Sequence, residues 1–403
     1  MKTILSFLII IFVFTFSAFL QKVVPGDRVQ TRVNVRDMPS TSGIVIGSLE
    51  IGESAVLITD TIPYWYQVIV NTGDTGYVSK AWTSIVEAPA VSDKGDLVIG
   101  SWNIKWFGNS SNDKHNYQAM ADIVMEMDVL AIQEIKGNHF TDRLDSLQAE
   151  LGSRGYNYTY IFSEETGYKG NPGEDKNNYV ERYAYFWDVD RVELINPDTP
   201  YYYISEPIIN NPHFRAVPIV SDFKVKSEEG FDFRIVTIHT VYNEKIEEVR
   251  AAEIRFLHEW MNEQVFNLDI QEKDIFIIGD FNANPKGQTA FFDSIITDTT
   301  GYRVIFNEPL LAGESSKRTT ILVKQNITEK DHQLPAYDHL LLSKHTTYAI
   351  PIYPITWASG IIGVGEFDQE QKWEGMTRHE IIAAMSDHRP VWIKLDYNTE
   401  DRD

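Results

Sequence analysis

The sequence predicts a mixed α/β domain that follows a small all-β module. Apolar runs of strand length, each leading into polar residues, occur at positions 96–100, 129–132, 235–238 and 275–278. Segments with apolar side chains at helical spacing lie between these runs, at positions 116–127 and 244–264. Such alternation of strands and helices is typical of α/β domains. Residues 28–86 instead consist of short alternating strands separated by turn residues, which indicates an all-β module.

The segment IFIIGDFNANPKG, at residues 275–287, shows how the large domain is organised. Asp280 and Asn282 follow its apolar run on a turn. Carboxylate and amide oxygens at the end of a buried strand are where α/β enzymes place hard-cation and phosphate chemistry. An Asx-type turn that caps a following helix is the alternative interpretation. Three further strand ends repeat the arrangement, with Asn103, Glu134 and His239.

The composition limits the classes of function. The chain has 403 residues, which favours two domains. Its formal net charge is −22, which argues against a basic protein that packages nucleic acid. Catalysis on a polyanion remains open, because bound cations could mediate the contact with the substrate. The chain has no cysteine, so neither a disulfide framework nor a cysteine-linked lipid anchor is available.

Residues 1–20 have the pattern of a secretory signal peptide. Lys2 precedes an apolar run from Phe7 to Phe16, and the small residues Ser17 and Ala18 follow. We expect a secreted, periplasmic or extracellular protein with no stable membrane span after cleavage. An uncleaved membrane anchor is the alternative, because the run is close to spanning length.

The module at residues 27–86 resembles the bacterial SH3-like repeat. The resemblance rests on NVR at residues 34–36, GE at 52–53, WYQV at 65–68 and GDTGYV at 73–78. It implies a small all-β barrel that tethers a secreted enzyme to a cell-wall or other surface polymer. The aromatic residues Trp65, Tyr66, Tyr77 and Trp82 form either a binding face or, as is more usual in so small a barrel, its core. A linker follows at residues 87–95.

Seven sequence blocks occur in the order of the endonuclease/exonuclease/phosphatase superfamily: SWNIKWF, VLAIQEIKG, YVERYAYFW, IVTIHT, IFIIGDFNANP, AYDHLLLS and MSDHRPVWIKL. Residues 96–397 resemble its deoxyribonuclease I-like branch, and a polar tail follows at 398–403. The resemblance implies a four-layer α/β sandwich in which two facing β-sheets are flanked by helices. It also implies that the site residues gather on loops at one end of the sheets.

The resemblance assigns roles to these strand-end residues. Asn103, Glu134 and Asp387 would bind Mg²⁺, with Mn²⁺ or Ca²⁺ as alternative or supporting ions. Two histidines would transfer protons, each oriented by a carboxylate: these pairs are His239 with Glu181 and His388 with Asp338. Asp280 and Asn282 would hold phosphate oxygens or a second metal ion.

Four further residues are implied to contact substrate. Tyr179 would lie against the minor groove of DNA. Lys136 takes the place of a phosphate-contacting arginine, and Arg182 belongs to the block most specific to the nuclease branch. Arg215 lies one residue early in its motif but would still reach a phosphate. An edge-strand charge pair is the alternative for the block that contains Arg182.

These observations favour a secreted, metal-dependent, deoxyribonuclease I-like endonuclease that acts as a monomer with DNA as its substrate. One alternative is a sphingomyelinase-like or other small-substrate phosphodiesterase or phosphatase with the same metal site. The other is a surface-binding protein in which the β module acts and the large domain is degenerate. The complete set of site residues in the sequence argues against the second alternative.

Overall fold

The computed structural model describes residues 21–26, 28–51, 53–70, 75–87, 96–168, 179–206, 208–209, 211–227, 230–242, 247–283, 302–304, 318–321, 336–350, 355 and 357–396. The predicted signal peptide, residues 88–95 of the predicted linker, and the predicted tail lie outside these residues. The chain divides into two compact units, Met1–Glu50 with Ser54–Asp93 and Ile51–Glu53 with Lys94–Asp403.

The smaller unit contains a seven-stranded antiparallel sheet in the order β3-β2-β6-β5-β4-β1-β7. Its strands are β1 (Gln21–Pro25), β2 (Arg32–Arg36), β3 (Val45–Glu50), β4 (Ala55–Thr59), β5 (Trp65–Ile69), β6 (Thr75–Ser79) and β7 (Thr83–Glu87). The all-β prediction agrees with these strands, whereas the likeness to an SH3-like barrel stays a prediction.

Aliphatic side chains form the buried core of the small unit, and the partly buried Tyr66 packs against them. Its fully buried residues include Val23, Val35, Val68 and Val78. Trp82 is 51% exposed, so the expectation that it belongs to the core is wrong. Trp82 lies on the turn between β6 and β7, outside the strands whose valines form the interior, so its indole remains at the surface.

The first sheet of the large unit has the order β10-β12-β9-β8-β21-β20, with β11 paired to β12. Its strands are β8 (Asp96–Phe107), β9 (Val129–Ile135), β10 (Tyr158–Phe162), β11 (Thr166–Tyr168), β12 (Tyr179–Asp188), β20 (Ile362–Val364) and β21 (Val391–Asp396). Strand β8 is longer than the predicted run at 96–100, because pairing with β9 continues through Asn103 and, after an irregularity, at Phe107.

The second sheet has the order β13-β15-β16-β17-β19-β18, with β14 paired to β15. Its strands are β13 (Val192–Leu194), β14 (Tyr202–Tyr203), β15 (Ile219–Val225), β16 (Asp232–His239), β17 (Ile275–Asp280), β18 (Tyr302–Val304) and β19 (Asp338–Ser343). Strands β16 and β17 are parallel and β19 is antiparallel to β17. Strand β17 has an unbroken apolar run at 275–278, because both of its faces are covered.

Helices cover the outer faces of these sheets. They are α1 (Tyr117–Val124), α2 (Phe140–Ser153), α3 (Glu247–Phe266) and α4 (Arg378–Ala384). Helices α1, α2 and α4 share a buried cluster with the outward residues of the first sheet, and α3 does so with the second. A third cluster joins the inward residues of both sheets, such as Ile99 and Phe276. The prediction of a mixed α/β domain is confirmed, and helix α2 is an element that the sequence analysis missed.

A buried glutamine connects the two sheets below the polar strand ends. Gln133 of β9 is fully buried, and its Nε2 donates to Ser101 Oγ at 3.0 Å and to Thr237 Oγ1 of β16 at 2.8 Å. An unsatisfied amide would be costly in this apolar interior. The bridge therefore favours one register between the sheets.

No helix in the described part of the chain is both long and apolar enough to span a bilayer.

Gly279, the residue before Asp280, has a backbone conformation that side chains rarely adopt. Its φ is +147°, and a Cβ atom there would lie 2.0 Å from the carbonyl oxygen of Ile238 on β16. We expect Gly279→Ala to lower the free energy of unfolding by more than about 2 kcal/mol, since strain and a backbone clash combine. Chemical denaturation of the purified variant would measure this loss.

Gly360 provides the matched control for this substitution. Its φ is +69°, but no heavy atom lies within 4 Å of its virtual Cβ. Gly360→Ala should therefore cost only the intrinsic strain of the left-handed region, about 1 kcal/mol. Equal losses in the two variants would show that the close approach of Gly279 to β16 contributes nothing.

Candidate active site

Three adjacent strands of the second sheet place three polar residues in one row. His239 ends β16 and pairs in register with Asp280 at the end of β17. Asp280 pairs in turn with Asp338, the first residue of β19. All three are at least 96% buried. The hydrogen-bonding register alone therefore brings a histidine and two carboxylates together at one edge of the sheet.

The first histidine–carboxylate pair joins the two sheets. His239 Nδ1 lies 2.8 Å from Oε1 of Glu181, which is on β12 of the first sheet. Burial raises the pKa of Glu181, but the neighbouring His239 and Lys136 outweigh it and lower this pKa to about 2. Burial lowers the pKa of His239, and the Glu181 carboxylate reverses that effect, so the net shift is upward. Each group stabilises the charged form of the other.

The second pair has the same atoms in contact. His388 Nδ1 lies 2.9 Å from Asp338 Oδ2. Burial lowers the pKa of His388, but the carboxylates of Asp338 and Asp280 raise it well above its ordinary value. With Nδ1 held by a carboxylate in both pairs, Nε2 is the ring atom available for proton transfer.

Asp280 lies between the two imidazoles. Its Oδ2 is 3.7 Å from His239 Nε2 and 3.6 Å from His388 Nε2. Burial raises the pKa of Asp280 to about 6, although the two imidazoles oppose that shift. Its Oδ1 accepts the backbone N–H of Asn282 at 2.8 Å, which is an Asx turn. The turn that was the alternative interpretation is therefore present on one oxygen, while the other oxygen faces the two imidazoles.

Asn103 connects the carboxylates of the two sheets. Its Nδ2 donates to Glu134 Oε1 at 3.2 Å and to Asp280 Oδ2 at 3.0 Å. Because both neighbours are carboxylates, the amide nitrogen must face them, and Oδ1 points elsewhere. This buried Oδ1 has no hydrogen-bond partner among the described residues.

The backbone is strained at two of these positions. Glu134 has φ of 60° and Asn282 has φ of 48°, both in the left-handed region. Such conformations cost about 1–3 kcal/mol for a residue with a side chain and occur often at functional sites. Asn282 Nδ2 donates to the carbonyl of Thr240 at 2.9 Å, so its side chain fixes the turn against the end of β16.

The donor set fits a hard divalent cation. Ligand atoms from Asp280, Asp338 and His388 lie within 4.8 Å of one another, and all three residues are buried. Asn103 Nδ2 joins this group to the Glu134 carboxylate, and a half-turn of the amide would exchange Nδ2 for the Oδ1 atom, which has no partner among the described residues. Carboxylate and amide oxygens are the ligands that Mg²⁺ and Ca²⁺ prefer. Asp387, the third predicted ligand, forms an ion pair with Lys105 Nζ.

The Endonuclease/Exonuclease/phosphatase family matches residues 100–388, which contain every site residue described above. The chain belongs to this family.

Several known proteins are similar to the chain. A deoxyribonuclease of Thioalkalivibrio sp. (strain K90mix) is 24% identical over 310 residues, which cover 75% of this chain and 72% of that protein. Deoxyribonuclease-1 of Bos taurus is 28% identical over 196 residues, and that of Equus caballus is 30% identical over 197. These two alignments cover 47% and 46% of this chain and 61% of each relative, less than two thirds of their length. The human Nocturnin catalytic domain with bound sulfate anion has a TM-score of 0.46 at 17% identity, over 75% of this chain and 94% of that one.

The predicted substrate-contacting residues of this family member lie in different settings. Lys136 Nζ is 3.6 Å from Glu181 Oε2 and 4.0 Å from Glu134 Oε2, at the edge of the site. Arg182 instead pairs with Glu165 at 3.1 Å and lies over the Phe140 ring.

Two further substrate candidates are placed by their backbone. Arg215 donates its backbone N–H to Glu253, and its guanidinium contributes to the low pKa of Glu181. Tyr179 begins β12, and its side chain lies outside the described part of the structure. The roles assigned to these residues stay predictions.

A buried pair on α3, missed by the sequence analysis, supports the loops around the site. Glu253 is fully buried and accepts the backbone N–H groups of Arg215 at 2.6 Å and Val241 at 2.8 Å. Arg250 Nε donates to the carbonyl of Val241 at 3.1 Å. Burial raises the pKa of Glu253 to about 7. The sequence signal was a charged pair at (i, i+3) on the apolar face of the predicted helix.

The low pKa of Glu181 predicts a pH dependence of stability. Since the folded pKa is about 2, below the ordinary 4.5, the stabilisation is complete above pH 4.5 and is lost as the pH falls towards 2. The difference in unfolding free energy between the wild type and Glu181→Gln should therefore shrink by about 3 kcal/mol over that window. Urea titrations in chelator at several pH values would measure it.

Glu50→Gln serves as the control, because Glu50 belongs to an exposed ion pair with Arg32 at 3.8 Å. Exposed pairs contribute little, about 0–1 kcal/mol. A stability difference for Glu181→Gln that stays constant from acid to neutral pH would contradict the assignment of Glu181 as the charged partner of His239.

Proposed function

We propose that the protein is a secreted, divalent-cation-dependent endonuclease that hydrolyses phosphodiester bonds of DNA. The observation that carries this proposal is the convergence of two histidine–carboxylate pairs on Asp280, with Nε2 distances of 3.7 and 3.6 Å. The deoxyribonuclease names of the relatives support DNA as the substrate. We propose with it the four-layer sandwich of the family, signal-directed secretion and a monomeric enzyme.

The two imidazoles provide the proton transfers that hydrolysis requires. One takes a proton from the attacking water as the new P–O bond forms, and the other gives a proton to the oxygen that leaves as the ester bond breaks. Glu181 and Asp338 hold Nδ1 of the two rings and stabilise their protonated forms. The symmetry of the two pairs leaves either ring able to act as the base.

Asn103 and Glu134, with Asp280 beside them, would hold Mg²⁺. When bound, this cation would neutralise charge that builds on the phosphoryl oxygens. Asp387 is proposed as a further ligand of this cation. Asn282 is proposed to support the turn on the side that faces the phosphate, and Lys136 is proposed to contact the phosphate. Tyr179, Arg182 and Arg215 are proposed to contact the DNA around this centre.

Activity should depend on a divalent cation and should be directed at DNA. We expect plasmid DNA to be nicked in Mg²⁺ and to remain intact after exhaustive chelation, because the buried carboxylates otherwise repel the phosphate. Parallel digestion of plasmid DNA, RNA and sphingomyelin, with His239→Ala as the control for contaminating nucleases, would measure this preference. Hydrolysis that survives chelation, or preferential cleavage of sphingomyelin, would contradict the proposal.

The two histidines should act as units with their carboxylates. His239→Ala and His388→Ala should each lower kcat by at least ~10²-fold, a loss typical of removing general acid–base catalysis. The double variant His239→Ala with Glu181→Gln should lose little more than His239→Ala alone, because the carboxylate acts through the ring. Steady-state kinetics on plasmid DNA would measure all three.

His258→Gln is the matched control, since His258 lies on α3, where its Nε2 is 3.1 Å from Asn262 Nδ2 of the same helix. It should keep wild-type turnover. Losses that simply add in the double variant would show that Glu181 and His239 contribute separately.

A further inference from the structure

The small unit presents a row of cationic and polar side chains along one segment. Arg28, Gln30, Arg32, Asn34 and Arg36 recur at every second position. Within β2 the burial alternates, with Arg32 and Asn34 exposed and the intervening valines buried in the core of the unit. Since successive side chains of a strand point to opposite faces, the polar residues of β2 share the outer face.

This row lines a cleft of about 460 Å³. The three arginines, Asn34, Trp65 and Trp82 are among its lining residues. The volume lies within the range of about 300–1,000 Å³ that small-molecule ligand sites occupy. The cleft therefore has room for a unit of nucleotide size.

The arginines of the cleft keep hydrogen-bond donors available. Arg28 Nη2 donates to the carbonyl of Ala81 at 3.1 Å, and Arg36 Nη1 donates to that of Gly43 at 2.6 Å. Arg32 lies 3.8 Å from Glu50, and its side chain is 61% exposed. Each guanidinium has five N–H donors in a planar fork, so its contacts with the described residues leave several donors for a ligand.

The aromatic side of the cleft is solvent-accessible. Trp82 is 51% exposed, and Trp65 is partly exposed. The Arg28 guanidinium lies 5.8 Å from the centroid of the Trp82 ring. An exposed indole next to guanidinium groups offers stacking and charge neutralisation in one place.

We propose that this cleft binds a short segment of single-stranded nucleic acid. Single-strand sites combine a positively charged groove, which follows the backbone, with aromatic rings on which bases stack. A neutral glycan would make no use of three arginines, and the bases of a duplex are already stacked on one another. The advantage of such a site for catalysis rests on the proposed function, in which DNA is the substrate. The ability of the cleft to bind a single strand does not depend on that proposal.

Such a site would offset the charge of the chain. The net charge of −22 repels a polyanion as a whole, so contact with DNA must be local. A strand held by the cleft is tethered to the same chain as the active site, which raises its effective concentration there. Nicked or frayed DNA, which exposes single-stranded segments, would be retained preferentially.

Binding is tested on the full chain carrying His239→Ala, in chelator, with a short dye-labelled single-stranded oligodeoxynucleotide. Fluorescence anisotropy over a range of salt concentrations gives both Kd and its salt dependence. Arg32→Ser should reduce the slope of log K against log salt by about 0.7, the value for one neutralised phosphate of a single strand. Trp82→Ala should weaken binding about fivefold or more, as expected for one lost base–aromatic stack.

Two variants of the same unit outside the cleft are the matched controls. Lys80→Gln removes a positive charge whose ammonium packs against Tyr66, and it should leave the salt slope unchanged. Tyr64→Asn removes an aromatic ring that is 82% exposed and should leave Kd unchanged. Asn suits this position because the φ of Tyr64 is 65°.

Three results would overturn the proposal. The first is an unchanged Kd and salt slope in Arg32→Ser and Trp82→Ala. The second is an equal loss of duplex binding in Trp82→Ala, since a duplex offers no free base face. The third is binding of purified cell-wall polymer, lost in the same variants, without binding of the oligonucleotide. Nicking of plasmid DNA by the enzyme with His239 intact is measured separately, so failure of the cleft and failure of the proposed activity are distinguishable.

Discussion

The concentration of negative charge in a buried space is the constraint that organises the large unit. Glu181, Asp280 and Asp338 are each at least 98% buried; Glu181 faces His239, Asp338 faces His388, and Asp280 faces both imidazoles. A buried carboxylate without a partner would protonate or destabilise the fold. Placing a protonatable ring between each outer carboxylate and Asp280 compensates this charge. The raised pKa of both histidines is the measure of that compensation.

The fold holds these groups in place with few degrees of freedom. The register of β16, β17 and β19 fixes three of them in one row, and Gly279 lets β17 approach β16 closely enough for that pairing. Glu181 and Asn103 come from the other sheet, so the site exists only when the two sheets are in correct register. The buried Gln133–Thr237 hydrogen bond lies below the site, and the Asn103–Asp280 hydrogen bond lies within it. Both stabilise the same register between the two sheets.

The dependence of the site on strand register and on contacts between the sheets explains what was predictable from the sequence. Buried strands can be recognised in the sequence as apolar runs, and the polar side chains at their ends can then be recognised as a group. His239 and Asp280 were predicted in this way. Pairings between distant segments, such as His239 with Glu181, came only from the resemblance, because no periodicity encodes which strand of one sheet faces which strand of the other. The Lys105–Asp387 pair was missed because a charged residue near a strand end looks the same in sequence whether it faces solvent or a neighbour. The support by Glu253 and helix α2 were missed as well.

The charge distribution sets how this acidic chain could act on a polyanion. At a net charge of −22, long-range attraction to DNA is absent, and over distances beyond about 10 Å salt screens even the repulsion. What remains are local contacts: the divalent cation proposed to bind at the buried carboxylates, Lys105 and Lys136 at the edge of the site, and the arginines of the small unit. Because each cation at the site already faces a carboxylate, it is partly neutralised before substrate arrives. A separate cationic cleft, whose arginines have one carboxylate within ion-pair distance among the described residues, would therefore provide binding energy that the catalytic centre itself cannot supply.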